Sequence, residues 1–381
     1  MPVDEKVELR KGFKNVYFDR SEIGSVDPAG KLHYRGYSIH DLAERSTFEE
    51  TSYLLLHGVL PTTTQLCEFD AALRACRVLP SEVHDAIRLT KSAHPMDVLR
   101  TAVSAMSSLD VDIMDLSPEA TIRRGIRLIA ATATIVTTHA RIREGKAPPV
   151  PNTDISHAAN FLWMLHGEMP PPEDARLIDK DLILHAEHGV NASTFTARVA
   201  ASTRADFYAA ITAGLATLKG PLHGGAAEGV MQMSQEIGTK ENAESFVGGV
   251  LEGGGRVMGF GHAVYRAVDP RSVHLMEDAR ALGERKGQPE WFSILQAVTE
   301  TKAMQQRAKK GIHPNVDFWA GAVYYLLDIP EDLFVPVFAM GRMPGWTAHI
   351  MEQYSKKDLL RPRLAYEGPL DVEYVPIEQR A

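Results

Sequence analysis

Several features that would place this chain in common protein classes are scarce or absent. Cys67 and Cys76 are the only two cysteines among 381 residues, which excludes a disulfide framework and favours a reducing compartment. Acidic residues (49) outnumber lysine and arginine (41), so there is no global basic surface to bind nucleic acid. No apolar run approaches the ~18 residues of a membrane span, and Met1 to Arg10 resembles neither a secretory signal nor a transit peptide. We therefore expect a cytoplasmic protein with no nucleic-acid or membrane partner.

The residues that are present indicate a large helical protein. The chain is 44% hydrophobic and 24% charged, the balance of a globular protein with a large core. Thr47 with Glu50 and Thr62 with Gln65 have the spacing of helix capping boxes, and Gly58 is placed to end the first of these helices. Helical periodicity and helix-breaking residues predict further helices over 117–145, 160–165, 175–188, 193–202 and 207–218. Strand signals are confined to 16–18 and 372–377, so we expect an all-α fold.

Common catalytic and cofactor motifs are incomplete or missing. Gly259-Phe260-Gly261 lacks the third glycine and the preceding strand of a dinucleotide fingerprint. The chain has no phosphate-binding P-loop and no nucleophile elbow, and neither cysteine has a supporting context. His185 and His188 are three apart in a predicted helix, where they could pack at the helix end or contact an anion. They lack the zincin spacing and a third ligand, so we predict no metal site.

Two histidines stand in glycine-rich turns. His223 lies in Gly-Pro-Leu-His-Gly-Gly at 220–225, and His262 follows Gly259-Phe260-Gly261. Small neighbours shield a ring poorly, so both imidazoles could reach a ligand, which makes a functional site as plausible as a structural role. Many of the chain's glycines fall between Gly220 and Gly261, which is where hinges and close backbone approach to a ligand are expected.

Three arginines and one aspartate complete the candidate set. Arg271, Arg342 and Arg361 each stand near proline or glycine, and together they could bind carboxylates with their planar guanidinium groups. Asp317, in Asn-Val-Asp-Phe-Trp at 315–319, precedes what looks like a helix. On pattern alone its carboxylate could cap that helix or act as a general base.

The chain resembles the citrate synthase family. The resemblance is carried by Gly-Pro-Leu-His-Gly-Gly at 220–225, by Gly-Phe-Gly-His-Ala-Val-Tyr with Asp-Pro-Arg over 259–271, and by Pro-Asn-Val-Asp-Phe at 314–318. Their order and spacing agree with the three catalytic motifs of that family. His-Ala-Glu-His at 185–188, Gly-Trp-Thr-Ala-His at 345–349 and Tyr-Arg-Gly-Tyr at 34–37 look like its bacterial members. The likeness extends over nearly the whole chain.

This resemblance implies a two-domain helical enzyme. It implies a large domain from 1–224 and 329–381, a small mobile domain from 225–328, and a homodimer with shared active sites. The reaction would condense acetyl-CoA with oxaloacetate and hydrolyse citryl-CoA, with coenzyme A thioester as substrate and no permanently bound cofactor. The implied residues are the base Asp317, the thioester donor His223, the ketone donor His262, the carboxylate ligands His188, Arg271, Arg342 and Arg361 (Arg361 reaching the partner's site), and the coenzyme A contacts Val257, Gly259, Gly261 and Arg266.

The family pattern leaves one departure and two alternatives. Ala263 stands where many bacterial relatives have arginine, which leaves Arg266 as the better phosphate contact. A 2-methylcitrate synthase using propionyl-CoA shares the motifs. That branch tends to have tyrosine at the position of His185 and leucine at the position of Val316. The sequence therefore favours citrate synthase. A non-catalytic helical protein that binds coenzyme A or a tricarboxylate would be expected to lack one of His223, His262 and Asp317, and all three are present.

Overall fold

The structure is a computed structural model that describes residues 10–13 and 16–380. Within these residues it contains 17 α-helices and three short β-strands, so the all-α prediction is confirmed. No helix in this described part is long and apolar enough to cross a membrane. The helices of the first half are α1 (Ile39–Arg45), α2 (Phe48–His57), α3 (Thr63–Ala75), α4 (Ser81–Leu89), α5 (Pro95–Met106), α6 (Pro118–Arg143), α7 (His157–His166), α8 (Pro172–His185) and α9 (Ala192–Ser202).

The second half continues with helices until the chain leaves the core near its end. Its helices are α10 (Phe207–Leu218), α11 (Ala226–Ile237), α12 (Ala243–Glu252), α13 (Pro270–Lys286), α14 (Glu290–Glu300), α15 (Lys302–Ala308), α16 (Val316–Leu326) and α17 (Phe334–Ser355). After α17 the described chain has no helix or strand except a 3₁₀ turn at Ile377–Gln379. Many apolar side chains of this last segment are exposed, including Leu364 and Tyr374.

Local capping chemistry sets several helix bounds as the sequence predicts. Thr62 and Gln65 form a complete capping box at the start of α3. Thr47 caps α2 by accepting from the N–H of Glu50, but the Glu50 carboxylate accepts from Ser46 instead of closing the box. Gly58 ends α2 in the left-handed conformation, which glycine adopts without strain.

The strand predictions are wrong, because the strands lie elsewhere in the chain. Residues 16–18 and 372–376 are irregular. The strands are instead β1 (Gly24–Asp27), β2 (Lys31–Tyr34) and β3 (Tyr37–Ser38), which form one antiparallel sheet in the order β1-β2-β3. Asp27-Pro28-Ala29-Gly30 makes the first turn, with the Ala29 N–H donating to Asp27 Oδ1 at 2.7 Å. Strands of four and two residues leave too little alternation for a period-two signal.

Helices α6 and α17 form the centre of the core. α17 is buried along most of its length, and it packs on α6 where Gly125 faces Thr347. A Cβ at Gly125 would lie 2.4 Å from Thr347 Cγ2, so glycine is needed for this close approach. At Gly345 a Cβ would lie 2.1 Å from the carbonyl oxygen of Ala186. α17 therefore lies directly against the turn that follows α8.

A buried histidine makes stability depend on pH. His157 at the start of α7 is 0% exposed, its ring packs on Phe48, and neither ring nitrogen has a hydrogen-bond partner among the described residues. Burial, and then the charge of Arg77, lower the pKa of His157 to about 3. The unfolded chain binds this proton near pH 6.5, so stability is fully present above that pH and is lost as the pH falls towards 3.

We expect His157→Phe to remove the contribution of His157 to the pH dependence of stability. Between pH 7 and pH 5 the wild-type free energy of unfolding should fall by about 2 kcal/mol more than that of the variant, from linkage with an unfolded pKa near 6.5. Denaturant unfolding at both pH values measures the difference. Parallel losses in the two proteins would contradict this, because they would mean that His157 has the same pKa in the folded and the unfolded chain.

Candidate active site

One cavity of about 930 Å³ collects nearly all the residues singled out from the sequence. It lies between the turn after α8, the loop after α10, the segment 255–263 and the first turn of α16. The predicted residues that line it are His188, His223, Val257, Gly259, Gly261, His262, Arg266, Arg271, Asp317 and Arg342. Arg361 is the exception, because it is exposed in the segment after α17 and does not line this cavity.

The prediction that His185 and His188 share a helix face is wrong. α8 ends at His185, whose Nδ1 lies 2.9 Å from the Asp181 carbonyl oxygen inside the core. His188 follows in the turn and reaches the cavity, with its Nε2 3.0 Å from the hydroxyl of Tyr265. Burial and nearby Arg271 hold the pKa of His188 well below its ordinary value. In the described residues no group of three or more His, Cys, Asp or Glu side chains could hold a metal ion.

The loop that carries His262 is shaped by its glycines. Gly259 and Gly261 both have positive φ, and a Cβ at Gly259 would lie 2.8 Å from the ring of Phe318. The loop pairs with the chain before α16, since the Gly261 N–H donates to the His313 carbonyl and the Asn315 N–H donates to the Gly259 carbonyl, each at 2.9 Å. This pairing brings His262 and Asp317 to the same cavity.

Backbone contacts fix the tautomer of His262. Its Nδ1 accepts from the N–H groups of Val264 and Tyr265, each at 3.0 Å. An atom that accepts twice carries no proton, so the single proton of the neutral ring is on Nε2. Burial, and then the charge of Arg271, lower the pKa of His262 to about 4. At pH 7 this ring is a neutral donor.

The ring of His223 carries its proton on the other nitrogen. Its Nε2 lies 2.8 Å from Ser193 Oγ and accepts from the Ser193 N–H at 3.3 Å. The proton of the neutral ring is therefore on Nδ1. Burial, and then Arg342, lower the pKa of His223 to about 4. The cavity thus has two neutral imidazoles with defined donor atoms.

Asp317 does not cap its helix. Asn315 is the N-cap of α16, and its Oδ1 accepts from the Asp317 N–H at 3.2 Å. This leaves the Asp317 carboxylate in the first turn, facing the cavity, with no hydrogen-bond donor to it among the described residues. Burial raises the pKa of Asp317, although the nearby His185 and Arg271 oppose the shift. A carboxylate with a raised pKa is a stronger base than one in water.

Arg271 and Arg342, which line the cavity near the histidines, have different partners. Asp269 makes two contacts with the Arg271 guanidinium, at 3.0 and 2.8 Å. Burial alone would lower the pKa of Arg271, but the Asp269 charge raises it. Arg342 donates from Nε to the His185 carbonyl at 2.5 Å and packs over the Phe338 ring. Its buried Nη1 has no partner within the described chain, and burial lowers the pKa of Arg342 to about 10. This free donor makes Arg342 ready to bind a carboxylate.

Sequence reasoning missed two sets of residues. Ser193 contacts His223 and Tyr265 contacts His188. Tyr265 ends a motif that carries the family resemblance, but the sequence indicates neither contact, because the partners lie far along the chain. The cavity also has a basic outer part formed by Arg256, Arg307 and Lys310. The position of Lys309-Lys310 before Gly311 is the one signal that could have indicated this part. Arg266, which was predicted, also lines the cavity and donates to the carbonyls of His262 and Tyr265.

Comparisons with known proteins assign the chain that carries this site to a family. Residues 12–363 match the family model described as citrate synthase, C-terminal domain. The citrate synthase of Deinococcus radiodurans is 43% identical over 374 residues, covering 98% of this chain and 99% of the relative. The 2-methylcitrate synthase 2 of Corynebacterium glutamicum is 42% identical over 380 residues, covering 98% of each.

A solved structure agrees over the same length. It is the ternary complex of citrate synthase from Thermoplasma acidophilum with carboxymethyl coenzyme A and oxaloacetate, which is 32% identical with a TM-score of 0.93 and covers 98% of this chain and 100% of that chain. Sequence and fold therefore agree over almost the entire molecule, and the chain belongs to the citrate synthase family of acyltransferases.

Proposed function

We propose that this chain condenses acetyl-CoA with oxaloacetate and hydrolyses the resulting citryl-CoA. The observation that carries the proposal is one cavity holding a carboxylate with a raised pKa, two neutral histidines with defined donor atoms, and two arginines. Condensation of a thioester with a ketone needs a base, a donor to the enolate oxygen and a donor to the ketone oxygen. The cavity supplies one candidate for each role.

Oxaloacetate is bound on the side of the two arginines. The free Nη1 of Arg342 and the guanidinium of Arg271 take its carboxylates, with His188 beside them. His262 donates its Nε2 proton towards the ketone oxygen, which makes the carbonyl carbon more electrophilic. Fixed donors of this kind need no reorganisation as charge develops on the oxygen.

Acetyl-CoA reacts on the side of Asp317 and His223. Asp317 takes a methyl proton while His223 donates from Nδ1 to the thioester oxygen, so that charge on the enolate is stabilised as it forms. The enolate carbon then bonds to the ketone carbon, and the ketone oxygen becomes the citryl hydroxyl by taking a proton from His262. Water then attacks the thioester and gives a proton back to His262, and the coenzyme A thiolate leaves with the proton that Asp317 had taken. An ordinary carboxylate is a weak base for this step, so Asp317 and His223 must act together.

The outer part of the cavity is suited to the remainder of coenzyme A. Arg256, Arg266, Arg307 and Lys310 supply positive charge for its phosphates. The backbone from Val257 to Gly261 lies between these residues and the histidines, where the pantetheine arm would pass. Residues 225–328 carry this segment, whereas Arg342 lies in 329–381. We propose that 225–328 is a small domain and that it closes over the substrates against a large domain formed by 1–224 and 329–381.

A second copy of the chain completes the proposed site. Arg361 is exposed and lies outside the cavity of its own chain, in a segment whose apolar side chains are also exposed. We propose that this segment packs on a partner in a homodimer and that Arg361 enters the partner's oxaloacetate site.

Propionyl-CoA is the alternative acyl donor, since a 2-methylcitrate synthase is among the relatives. Val316 is buried and lines the cavity beside Asp317. His185 lies behind it, with its ring 4.7 Å from that of Phe338. Both positions carry the residues expected for citrate synthase rather than those of the 2-methylcitrate branch. We therefore propose acetyl-CoA as the preferred donor.

Thiol release in the presence of oxaloacetate tests the function directly. We expect kcat/KM to be at least about tenfold higher for acetyl-CoA than for propionyl-CoA, which is within the discrimination that one methylene provides. Asp317→Asn protein serves as the control for uncatalysed thiol release. A preference for propionyl-CoA would keep the chemistry but identify a 2-methylcitrate synthase, and no release with either thioester would contradict catalysis.

A further inference from the structure

The three-stranded sheet lies against both loops that carry the oxaloacetate-facing histidines. It is formed by β1, β2 and β3 and is the only sheet among the described residues. None of its residues lines the cavity, and the proposed reaction gives it no part. It nevertheless contacts the segment after α8, which carries His188, and the loop 262–268, which carries His262.

The turn between β1 and β2 is fixed to the His262 loop. The N–H of Arg266 donates to the Pro28 carbonyl at 2.9 Å. Gly30 has a φ of +83°, and a Cβ there would lie 2.8 Å from the Val268 carbonyl oxygen and 3.2 Å from Ala267 Cβ. The turn is itself held by the Gly30 N–H donating to the Asp27 carbonyl at 3.0 Å. A rigid turn therefore meets this loop backbone to backbone.

The strands on either side of that turn are fixed to the His188 segment. A Cβ at Gly24 would lie 2.8 Å from Glu187 Oε1, and a Cβ at Gly189 would lie 3.2 Å from Val26 Cγ2. The buried hydroxyl of Tyr34 lies within hydrogen-bond distance of the carbonyl oxygens of Ile183 and Leu184, at 3.1 and 3.2 Å. The residues on both sides of His188 thus contact the same small sheet.

We propose that the hairpin Gly24–Tyr34 is a positioning element that sets the separation of His188 and His262. The two imidazoles lie 4.8 Å apart between ring centroids, although they belong to loops distant in sequence. A rigid element bonded to both loops sets the separation that the two rings have when the domains are closed over oxaloacetate, and errors of about 1 Å in such a site can cost on the order of 10²-fold in rate. The inference rests on the proposed function, because it assigns the two histidines to one oxaloacetate.

Gly30→Ala tests the proposal, with Gly36→Ala as its matched control. Gly36, in the turn between β2 and β3, has a φ of +90°, but a Cβ there would meet nothing within 4 Å. Both substitutions impose similar backbone strain on the same sheet, and only Gly30→Ala pushes on the His262 loop. We expect similar thermal midpoints for the two variants. Gly30→Ala alone should raise the oxaloacetate Kd by calorimetry, and the KM, on the order of tenfold or more.

The results separate this proposal from the proposed function. Equal oxaloacetate Kd values for the two folded variants would overturn the positioning role while leaving the function intact. If Gly30→Ala does not fold, Val26→Ala tests the contact with the His188 segment, and we expect a several-fold higher Kd; an unchanged value would overturn the proposal. A wild-type chain that fails to bind oxaloacetate would overturn both, since the histidines would then have no common ligand.

Discussion

Replacing Asp317 with asparagine is expected to lower kcat by at least about 10²-fold while leaving oxaloacetate affinity nearly unchanged. The amide has the shape of the carboxylate but cannot accept the methyl proton. The proposed oxaloacetate ligands Arg271 and Arg342 are not altered, so the electrophile should still bind. Steady-state kinetics with acetyl-CoA and calorimetry with oxaloacetate alone measure the two effects separately.

Asp328→Asn is the matched control for that experiment. Asp328 lies just beyond the end of the same helix α16 and is exposed, so the same chemical change there should leave kcat unaltered. If Asp317→Asn turned over at the wild-type rate, the base would have to be another group. If it lost oxaloacetate binding as well, Asp317 would be holding the site together rather than removing a proton.

Mixing two inactive variants is expected to restore activity if Arg361 acts in the partner's site. Arg361→Ala alone should lose most activity, since a buried ion pair with substrate would lose its cation. In a hybrid of Arg361→Ala and Asp317→Asn chains, one of the two sites has both an intact Asp317 and an intact Arg361. Random mixing in a twofold dimer makes half of the dimers hybrids, so about one quarter of wild-type activity should return.

The comparison needs proof that hybrids form. Two differently tagged variants, unfolded and refolded together, allow the hybrid to be isolated by sequential affinity steps. In the control, Asp317→Asn chains are mixed with Arg363→Ala chains. This mixture accounts for the loss of an arginine from the same segment. An isolated hybrid without activity would show that Arg361 does not complete the partner's site.

The helical part of the fold was predictable because its signals are local. The capping box of Thr62 and Gln65 forms as expected, and α10 occupies Phe207–Leu218, the predicted span. The sheet was not predictable, because its strands are two to four residues long and its stability comes from contacts with distant loops. Residues 372–377 illustrate the converse: their composition is strand-like, but no neighbouring strand in the described chain pairs with them.

The site was predictable to the extent that its chemistry lies in short segments. The turns around His223 and His262 indicated those residues. The motif containing Asp317 indicated a base only through the family resemblance, since the pattern itself equally allowed a helix cap. The orienting partners could not be found in this way. Ser193 is adjacent to nothing that marks it, and it acquires its role only because α9 begins beside the loop that carries His223.

The packing of α17 has a consequence for how the protein loses activity. The helix that carries Arg342 is also the most buried helix of the core, and Gly345 brings it against the carbonyl of Ala186, two residues before His188. The proposed oxaloacetate ligands on this side therefore belong to the same cooperative unit as the core. On heating, this side of the site should not unfold before the core does. The affinity of the site for oxaloacetate should therefore persist until global unfolding.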